Sequence, residues 1–593
     1  MKRWILGTLG MLLVFSCRTL PSPPPVRTLE EVTLKEIQNL ISSEEPTKAL
    51  QWIIGLRSST TPIKIPQEEL ERLEKEAKEK LIEKFYRAVE ASDFSYALSL
   101  YTSFRTLYGS EGFKEYSVNR LRFLLAESER QKGNAVLALA HFRGMTDWSS
   151  LSSEELFTYG NLALALKNLP VCRAVLKELE LRNVSIPKDL KERASQTIPL
   201  ADYLGGTVTI WVNRGIRMDR GIGVPDRVIG SGFYIDPRGY LLTNYHVIQS
   251  EVDPEYEGYS RLFIRPSGRI DERIPAKVIG YDRIFDIALL KTEVSPPFLF
   301  GISDVQELKV GSRIYALGSP GGLENTITSG IVSAVGRRFF QLGDAMQMDV
   351  PVNPGSSGGP LIDEEGRLIG IVFAGIEQFQ GVNFAIPAYW IQKILPDLYK
   401  PGEVVHSWMG VSVQEVREGL EVLYVAPGSP AYEVGIQRGD RILQIGDDVV
   451  RKVRDAQSIL LSQRSGTLIR VGLKRNDEPK SYVLALQKRP YSPLEKLVDF
   501  ERVENLFPPL FGFTARSLSS GLFAEDFIVE KVYQGSVADE TGLSENDPFT
   551  LRNWIVDKKK RLVLMRISIK QRKAGFLEGG VQMGALLEQN NFL

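Results

Sequence analysis

The first part of the chain, residues 30–200, places apolar residues three and four positions apart. The segments RLEKEAKEKLIEKFYRAVE and VNRLRFLLAESE show this spacing most clearly. Because an α-helix turns once in about 3.6 residues, this spacing puts the apolar side chains on one helix face. We therefore predict an all-α domain over residues 30–200, and its residue pattern indicates no chemistry.

A weak repeat runs through this helical region. Its four copies are EEPTKALQWI, SDFSYALSLY, KGNAVLALAHF and KNLPVCRAVL. Each copy has a small residue and, four positions later, a large apolar one; the pairs are Ala49 and Ile53, Ala97 and Tyr101, Ala138 and Phe142, and Cys172 and Leu176. The pattern resembles tetratricopeptide repeats with insertions, and an irregular helical bundle is the alternative. Either arrangement predicts binding or spacing, so we expect a protein partner on this repeat.

Residues 205–398 change to short apolar strands separated by glycine turns. The strand-like segments are TVTIWV, GSGFYI, YLLTN, AKVIGY, DIALLK, SRIYALG and GIVSAVG. Short strands with glycine between them are typical of β-barrels and β-sandwiches. The sequence therefore predicts a β domain here.

The last part of the chain contains a duplicated small α/β module, with one copy in residues 403–490 and one in residues 491–593. Five positions recur at a constant offset of 107 residues: Gly428 and Gly535, Ser429 and Ser536, Ala431 and Ala538, Gly435 and Gly542, and Asp440 and Asp547. A constant offset favours an internal duplication over chance similarity.

Composition excludes several classes of function. Lys+Arg and Asp+Glu both number 73 in the 593 residues, so the net charge is zero and the basic footprint of a nucleic-acid-binding protein is missing. The two cysteines, Cys17 and Cys172, cannot build a disulfide framework if Cys17 is lipidated. The three histidines form no Cys/His cluster with metal-ligand spacing, and we predict neither a metal site nor a cofactor.

The amino terminus has the pattern of an export signal. Lys2 and Arg3 precede the apolar segment WILGTLGMLLVF, which is too short to span a bilayer stably. The following VFSC resembles a bacterial lipobox, so residues 1–17 are predicted to be a lipoprotein signal with Cys17 as the lipidated residue; an ordinary signal peptide cut nearby is the alternative. The proline-rich residues 18–29 predict a stiff tether between a membrane and the folded domains.

The run NPGSSGGPL, residues 353–361, lies between two apolar strands, so its glycines serve backbone geometry rather than a flexible linker. A serine nucleophile needs a base and main-chain N–H donors that stabilise the oxyanion. We predict Ser357 as the nucleophile, with the N–H groups of Gly355 and Ser357 as the oxyanion donors. Gly358 and Gly359 are expected to leave room for the substrate.

The base and its orienting acid follow from position. His246 lies in the segment GYLLTNYHVI just where a strand is expected to end, whereas His141 and His406 lie outside the β region. Asp286 opens a buried apolar run, while Asp282 lies in a glycine turn and is expected to be solvated. We therefore predict His246 as base and Asp286 as its partner. The chain order His, Asp, Ser is that of the chymotrypsin class.

These motifs identify a family resemblance. The segments GSGFYIDPRGYLLTNYHVI, VIGYDRIFDIALLK, VGSRIYALGSPGG, TSGIVSAVGR and NPGSSGGPL resemble the HtrA (Deg) serine proteases in order and spacing. The resemblance covers residues 205 to 490. It implies a chymotrypsin-like double β-barrel, of six strands each, with His246, Asp286 and Ser357 between the barrels. Ser356 stands where many members have asparagine.

The same resemblance implies that both duplicated modules are PDZ domains. In the first, residues 403–490, the WMGV loop is expected to bind a peptide carboxyl terminus by strand addition, through main-chain groups of Met409, Gly410 and Val411. In the second, residues 491–593, the LFGF loop around Gly512 is the counterpart. Its divergence leaves two alternatives, a peptide-binding domain or a folded spacer.

The substrate pocket of this barrel class lies beside the nucleophile. The strand before it supplies Pro351, and the strand after it supplies Ile371, Val372 and Phe373, which are apolar. Asp349 is near but has no assigned role in the pocket. We therefore predict cleavage after valine, alanine, isoleucine or leucine, because an apolar pocket excludes charged side chains.

Taken together, these features predict a lipid-anchored, periplasm-facing serine endopeptidase in the envelope of a diderm bacterium. Its substrates are expected to be unfolded or damaged proteins and polypeptides with exposed carboxyl termini. The family resemblance implies a homotrimer, which the sequence alone leaves open. The alternative function is a scaffold or chaperone-like binding protein whose protease barrel is weakly active or vestigial.

Overall fold

The structure is a computed structural model of the chain. It describes residues 29–58, 65–109, 111–113, 115–269, 271–302, 309–319, 326–338, 342–375, 381–520, 525–571, 577–587 and 589–593.

The amino-terminal part of the described chain is helical, as the apolar spacing predicted. Its helices are α1 (Leu29–Ser42), α2 (Pro46–Ser58), α3 (Gln67–Glu90), α4 (Phe94–Tyr108), α5 (Val118–Gln131), α6 (Ala135–Arg143), α7 (Ser153–Ala165), α8 (Leu169–Leu181) and α9 (Lys188–Ser195). Short 3₁₀ turns cover Glu111–Phe113 and Leu200–Gly206. Consecutive helices pack against each other along the chain.

The four copies of the repeat occupy equivalent places in this helical region. The small residues Ala49, Ala97, Ala138 and Cys172 are fully buried, in α2, α4, α6 and α8. Each of these helices follows a residue with positive φ: Glu44, Ser92, Gly133 and Lys167. The main-chain N–H groups of Glu45, Asp93, Asn134 and Asn168 donate back to Leu40, Ala88, Glu129 and Ala163, which closes the same turn four times. The sequence repeat is therefore a repeat of helix pairs.

The next part of the described chain contains the predicted β domain. Its strands are β1 (Thr207–Asp219), β2 (Ile222–Asp236), β3 (Tyr240–Thr243), β4 (Arg261–Pro266), β5 (Ile274–Pro275), β6 (Lys277–Asp282), β7 (Ile287–Lys291), β8 (Arg313–Gly318), β9 (Thr326–Arg337), β10 (Ala345–Met348), β11 (Pro360–Asp363), β12 (Leu368–Gly375) and β13 (Asn383–Pro387). Two helices accompany them, α10 (Tyr245–Val252) and α11 (Ala388–Leu398).

These strands form two sheets. The second is a closed six-stranded barrel in the order β10-β13-β12-β11-β8-β9. The first is an eight-stranded sheet in the order β14-β6-β7-β3-β2-β1-β4-β5, in which β5 and β14 (Gly402–Glu403) are two-residue edge strands. Six longer strands therefore make up each half of the double barrel.

Two α/β modules follow the barrels. The first contains β15 (Ser407–Trp408), β16 (Val411–Glu415), β17 (Leu420–Val425), α12 (Pro430–Glu433), β18 (Arg441–Ile445), β19 (Asp448–Val449), α13 (Val453–Leu461), β20 (Leu468–Arg475), β21 (Glu478–Ala485) and β22 (Gln487–Lys488). The second contains α14 (Pro493–Leu497), α15 (Val503–Phe511), β23 (Phe513–Ser520), β24 (Glu525–Val532), α16 (Val537–Glu540), β25 (Pro548–Asp557), β26 (Leu562–Gln571) and β27 (Leu577–Leu586). Each module has its own main sheet and hydrophobic core.

The helical domain contacts both the barrels and the first small module. Helix α4 packs on β20, where the Ser103 hydroxyl accepts a hydrogen bond from the main-chain N–H of Leu468 at 2.9 Å. The side-chain amide of the buried Asn168 donates to the main-chain carbonyl of Ile302 in the β domain at 2.6 Å. The helical repeat is therefore packed against the domains that it precedes.

Candidate active site

His246 lies where the first sheet meets α10. Strand β3 ends at Thr243, and His246 is the second residue of the helix. Its ring atom Nδ1 lies 2.7 Å from Asp286 Oδ2, and its main-chain N–H donates to Asp286 Oδ1 at 2.8 Å. One carboxylate therefore fixes both the imidazole and the backbone of the same residue.

Asp286 is itself held in an uncommon backbone conformation. Its φ is 55°, in the left-handed region that a residue other than glycine rarely adopts. Its main-chain carbonyl accepts hydrogen bonds from Tyr245 N at 3.1 Å and from Asn244 Nδ2 at 2.9 Å. Such strain persists only where the surroundings determine the conformation, and it is frequent at functional sites. Strand β7 begins at the next residue, as the sequence predicted.

The electrostatics of the pair suit a proton acceptor. Partial loss of solvent lowers the pKa of His246, but the charge of Asp286 and its hydrogen bond outweigh this effect, so the pKa lies above its ordinary value of 6.5. The His246 side chain is still 43% exposed. The imidazole can therefore both hold a proton and meet a bound substrate.

The other histidines lie elsewhere, and one expectation about their surroundings is wrong. Asp282 is buried rather than solvated: its Oδ2 lies 2.8 Å from Nε2 of the buried His406, and its Oδ1 accepts from the main-chain N–H of Ile284 and Phe285. This pair joins the barrels to the segment before the first small module. His141 lies in α6, where burial lowers its pKa to about 4.

The loop that carries Ser357 is fastened to the first sheet by Ser231 of β2. The main-chain N–H of Ser231 donates to the Ser357 carbonyl at 2.7 Å, and its hydroxyl donates to the Gly355 carbonyl at 2.7 Å. The Ser231 hydroxyl also accepts from the main-chain N–H of Ser319 at 3.0 Å. A fully buried serine thus holds the main chain on both sides of Ser356.

The predicted oxyanion donors have free N–H groups. Within the described residues, the N–H groups of Gly355 and Ser357 donate to no protein acceptor. Gly355 has a φ of 101°, which glycine adopts at little cost. The Ser356 side chain turns back on its own loop, where its hydroxyl oxygen lies 3.4 Å from the Asn353 N–H. The two neighbouring N–H groups are therefore available to a substrate oxygen.

Gly358 and Gly359 have a different role from the one that the sequence suggested. A Cβ on Gly358 would lie 2.2 Å from the Ser231 carbonyl oxygen and 2.4 Å from Thr243 Oγ1. A Cβ on Gly359 would lie 2.3 Å from the Leu317 carbonyl oxygen. These glycines therefore allow the serine loop to pack against β2, β3 and β8, rather than making room for substrate.

The hydroxyl of Ser357 makes its hydrogen bond with the main chain and not with the histidine. It donates to the main-chain carbonyl of Phe373 at 3.1 Å, and the described residues form no hydrogen bond between Ser357 and His246. The His246 and Phe373 rings lie close, with centroids 6.3 Å apart. A serine hydroxyl changes direction by rotation about a single bond, so this hydrogen bond does not fix the hydroxyl in one direction.

The four predicted pocket residues divide into two groups. Pro351 is exposed and Phe373 is half-buried, so both reach the surface, and the Phe373 carbonyl accepts the hydrogen bond from Ser357. Ile371 and Val372 have no exposed surface, and they pack into two different cores because neighbouring strand residues point to opposite faces. The structure thus places these two behind the pocket rather than on its surface.

Asp349 does not point into this pocket region. It is exposed, and its Oδ1 accepts a hydrogen bond from the main-chain N–H of Ile331 on β9 at 2.6 Å. Its carboxylate is therefore engaged with the main chain of β9.

The loop predicted to bind peptides holds the last residue of the sequence. The N–H groups of Gly410 and Val411 donate to the Leu593 carbonyl oxygen at 2.8 and 3.2 Å, and Leu593 N–H donates to the Val411 carbonyl at 2.8 Å. Met409 is fully buried, and its carbonyl accepts from Ala431 N–H, so it supports the loop from inside.

The corresponding loop of the second module is closed by its own helix. The Gly512 N–H donates to the carbonyls of Phe507 and Pro508 at 3.0 and 3.1 Å, which ends α15. Gly512 abuts Ser536 in the same way that Gly410 abuts Ser429, since an added Cβ would lie 2.2 and 2.0 Å from the serine Cβ atoms. The duplication is therefore visible in three dimensions, but only the first loop keeps its donors free of the module itself.

The predicted lipidation site, Cys17, and the proline-rich tether lie outside the described residues. Among the helices that the structure describes, none is both long and apolar enough to cross a bilayer.

Two features of the site were not predicted from sequence. Ser231 lies in the motif GSGF, where its position between glycines was a usable signal for close packing, but its hydrogen bonds depend on the fold. The docking of Leu593 had no sequence signal, because a short tail carries no periodicity.

Family models match most of the chain. A trypsin-like peptidase domain matches residues 230–371, a PDZ domain matches residues 407–486, and the TP0546 family PDZ domain matches residues 494–587. A domain of unknown function (DUF8517) matches residues 28–124. The duplicated modules are therefore PDZ domains, as predicted.

The solved structures that match the chain include two proteases. The chain matches "HtrA-type protease AlgW with decapeptide" at 24% identity with a TM-score of 0.41, over 49% of this chain and 98% of that one. It matches the serine endoprotease from Yersinia pestis at 27% identity with a TM-score of 0.38, over 49% of this chain and 100% of that one.

Relatives in sequence carry the family assignment. The chain is 30% identical to the probable periplasmic serine endoprotease DegP-like of Ectopseudomonas mendocina over 465 residues, which are 71% of this chain and 95% of that protein. It is 38% identical to the protein of the same name from Hahella chejuensis over 231 residues, 36% of this chain and 47% of that protein. The putative serine protease HhoB of Synechocystis is 30% identical over 288 residues, 44% of this chain and 66% of that protein. With its trypsin-like barrels and two PDZ domains, the chain belongs to the HtrA (Deg) family of serine endoproteases.

Proposed function

We propose that the chain is a lipid-anchored endopeptidase that faces the periplasm and cleaves unfolded or damaged proteins through an acyl-enzyme. In this proposal His246, Asp286 and Ser357 are the catalytic triad. The observation that supports it is the pair of contacts between the Asp286 carboxylate and His246, one with the ring nitrogen Nδ1 and one with the main-chain N–H. The second observation is that the N–H groups of Gly355 and Ser357 donate to no acceptor within the described residues.

Acylation begins when the Ser357 hydroxyl rotates from the Phe373 carbonyl toward His246 Nε2. The imidazole takes the hydroxyl proton, and Oγ attacks the scissile carbonyl carbon. The N–H groups of Gly355 and Ser357 stabilise the negative oxygen of the tetrahedral intermediate. His246 then gives the proton to the leaving amine as the C–N bond breaks.

Deacylation uses the same groups with water. His246 takes a proton from a water molecule, whose oxygen attacks the acyl carbon and forms a second tetrahedral intermediate. The proton returns to Ser357 Oγ as the ester bond breaks, which releases the carboxylic acid product. Asp286 fixes the tautomer of the imidazole and stabilises the imidazolium in both halves of the reaction.

The choice of unfolded substrates follows from the pocket. Pro351 and Phe373 are the apolar residues proposed to form the pocket, and the Asp349 carboxylate is engaged with the main-chain N–H of Ile331. An apolar pocket accepts side chains such as valine, isoleucine and leucine. Folded proteins bury these residues, so an enzyme that needs them cleaves chains that have lost their structure.

Location and recruitment complete the proposal. The signal-like amino terminus and Cys17 favour a lipid anchor, and the relatives are named as periplasmic proteins. The first PDZ domain, through Gly410 and Val411, is proposed to bind polypeptides with exposed carboxyl termini. The helical repeat is proposed to bind a further protein partner.

The test is cleavage of casein by purified variants. Ser357→Ala and His246→Ala should each lower kcat by at least about 10³-fold while the circular dichroism spectrum stays unchanged. Ser356→Ala is the matched control, because its hydroxyl points into its own loop. If Ser356→Ala lost turnover and Ser357→Ala did not, the nucleophile would be Ser356. An unmodified chain that holds unfolded casein without cleaving it would favour the scaffold function.

A further inference from the structure

The last residues of the sequence form an extra strand on the first PDZ domain. Val413 N–H donates to the Asn591 carbonyl at 2.9 Å, and Leu593 N–H donates to the Val411 carbonyl at 2.8 Å. Between these bonds, Ser412 and Phe592 form an antiparallel bridge. Strand addition of this kind is the way in which PDZ domains hold a peptide.

The side chains of this strand fill two apolar sites. Leu593 is 1% exposed and belongs to the core of the first PDZ domain. Phe592 is also 1% exposed; its ring stacks on Trp408 at 6.1 Å between centroids and lies 6.3 Å from the Tyr424 ring. This second cluster continues into the core of the second PDZ domain. The groove therefore accepts an aliphatic residue preceded by an aromatic one.

A third set of contacts joins the strand to the protease domain. The Gln457 side chain of α13 donates to the Asn590 carbonyl at 2.6 Å and accepts from the main-chain N–H of Gly343 at 3.0 Å. The Asn590 side chain in turn donates to the Gly343 carbonyl. Gly343 lies just before β10, so the docked segment contacts three domains at once.

We propose that residues Asn590–Leu593 are an intramolecular ligand of the first PDZ domain, and that a polypeptide enters its groove only by displacing them. The ligand class is a polypeptide that ends in an aromatic residue followed by leucine or a similar aliphatic residue. This inference rests on the proposed peptide-binding role of Gly410 and Val411, since it names the group that occupies their N–H donors.

The second PDZ domain then has a defined part in this arrangement. Its own loop is closed, because the Gly512 N–H ends α15. Its last strand, β27, ends at Leu586, and the docked segment begins at Asn590, so the domain delivers the segment over a short distance. The divergent domain thus acts as a carrier of the internal ligand.

The loss of peptide affinity that residues 590–593 cause depends on their short covalent connection to the second PDZ domain. A short connection holds its ligand at an effective concentration of about 1 mM. If a free peptide binds the empty groove with a Kd of about 10–100 µM, the tethered segment weakens its apparent affinity by about 10- to 100-fold.

The experiment measures binding of a fluorescein-labelled peptide with the sequence LEQNNFL, that of residues 587–593, by fluorescence anisotropy. All proteins carry Ser357→Ala, which prevents cleavage. We expect the chain without residues 590–593, and the Leu593→Asp variant, to bind the peptide at least about 10-fold more tightly than the chain with the native tail. Gln589→Ala is the matched control, because its side-chain amide donates to the Leu586 carbonyl outside the groove, and it should bind like the native tail.

Hydrogen exchange gives a second measurement that needs no tail variant. A saturating amount of unlabelled LEQNNFL should make the amide of Leu593 in the protein exchange rapidly, because this N–H loses its hydrogen bond to the Val411 carbonyl when the segment leaves β16. Tail amides that stay protected in the presence of bound peptide would overturn displacement, and so would equal affinities of the native and truncated chains.

The same binding measurement also shows whether the first PDZ domain binds peptides at all. If neither the native nor the truncated chain binds the peptide, the groove is not a peptide site and the inference falls with that role. The endopeptidase assignment is tested separately, by casein cleavage in chains that retain Ser357.

Discussion

The hydroxyl of Ser231 donates a 2.7 Å hydrogen bond to the main-chain carbonyl of Gly355, and so links the first sheet to the predicted oxyanion loop. Ser231 is fully buried and also accepts from Ser319 N–H. The proposed nucleophile therefore depends on a residue in the other half of the double barrel, which makes the relative position of the two halves part of the catalytic geometry.

We predict that Ser231→Ala lowers kcat by about 10- to 100-fold with little change in KM, because displacement of a reacting group by about 1 Å is enough for such a loss. The buried carbonyl of Gly355 and N–H of Ser319 would lose their partner, at a cost of about 1–3 kcal/mol in stability. Steady-state kinetics on a peptide substrate and urea unfolding measure the two effects.

Thr209→Ala is the control for this variant. The Thr209 hydroxyl donates to the Ser319 hydroxyl at 2.6 Å, and no hydrogen bond among the described residues joins it to Gly355. This variant removes a buried hydroxyl group from the same region but leaves the hydrogen bond from Ser231 to the oxyanion loop in place. A kcat loss of equal size in Thr209→Ala would mean that Ser231 acts through general stability alone.

Asp286→Asn should lower kcat by about 10³- to 10⁴-fold, although the amide is similar in size to the carboxylate. The amide cannot accept from both the His246 main chain and its ring nitrogen as the carboxylate does, so the imidazole takes the wrong tautomer. Single-turnover rates on a peptide ester would show the loss. A variant with more than a tenth of native activity would contradict the role of Asp286.

The pH dependence of activity also tests the interaction between Asp286 and His246. Only neutral His246 can accept a proton, and its pKa lies above 6.5, so kcat/KM should fall as pH drops through an apparent pKa above 6.5. In Asp286→Asn the two raising effects are lost while burial still lowers the pKa, so the acid limb of the residual activity should move to lower pH. Profiles from about pH 5 to 9 would show this shift, and an unchanged limb would argue against it.

Cleavage should follow apolar residues, since Pro351 and Phe373 are the predicted pocket residues that reach the surface. We expect product peptides from a denatured protein to end in valine, alanine, isoleucine or leucine, with weak discrimination of about 1–3 kcal/mol per methylene. Mass spectrometry of the products gives the answer. A majority ending in arginine or lysine would contradict the apolar pocket and would indicate that Asp349 binds the basic side chain.

Cys17→Ala should release the protein into the soluble fraction or leave its signal uncleaved, because the thiol is the proposed site of lipidation. Metabolic labelling with palmitate, followed by immunoprecipitation, measures the modification. Labelling that persists in Cys17→Ala would exclude lipidation at this residue.

Local motifs allowed much of the site to be predicted. The glycines around Ser357, the histidine after a strand and the aspartate before β7 each lie in a segment whose signal is short-range. Helix α11 also had a signal, since Trp390, Ile391, Ile394, Leu395 and Leu398 are buried at helical spacing, although we predicted only strands in that region.

Other features depend on contacts between distant segments, which local patterns cannot reveal. Asp282 was expected to be solvated because a glycine turn is usually exposed, yet His406, 124 residues away, covers it. The positions of Gly358 and Gly359 likewise reflect the close approach of β2 and β3. The docking of Leu593 on Gly410 joins the last residue to a loop that only the folded chain brings near.

The most direct test of the central claim is to locate a fluorophosphonate adduct on the intact protein by peptide mass spectrometry. The reagent reacts with a serine only if a base activates the hydroxyl and an oxyanion site stabilises the product. We predict an adduct on Ser357 in the unmodified chain and none in His246→Ala. An adduct on Ser356 or on another serine, or an unmodified chain that stays unlabelled, would contradict it.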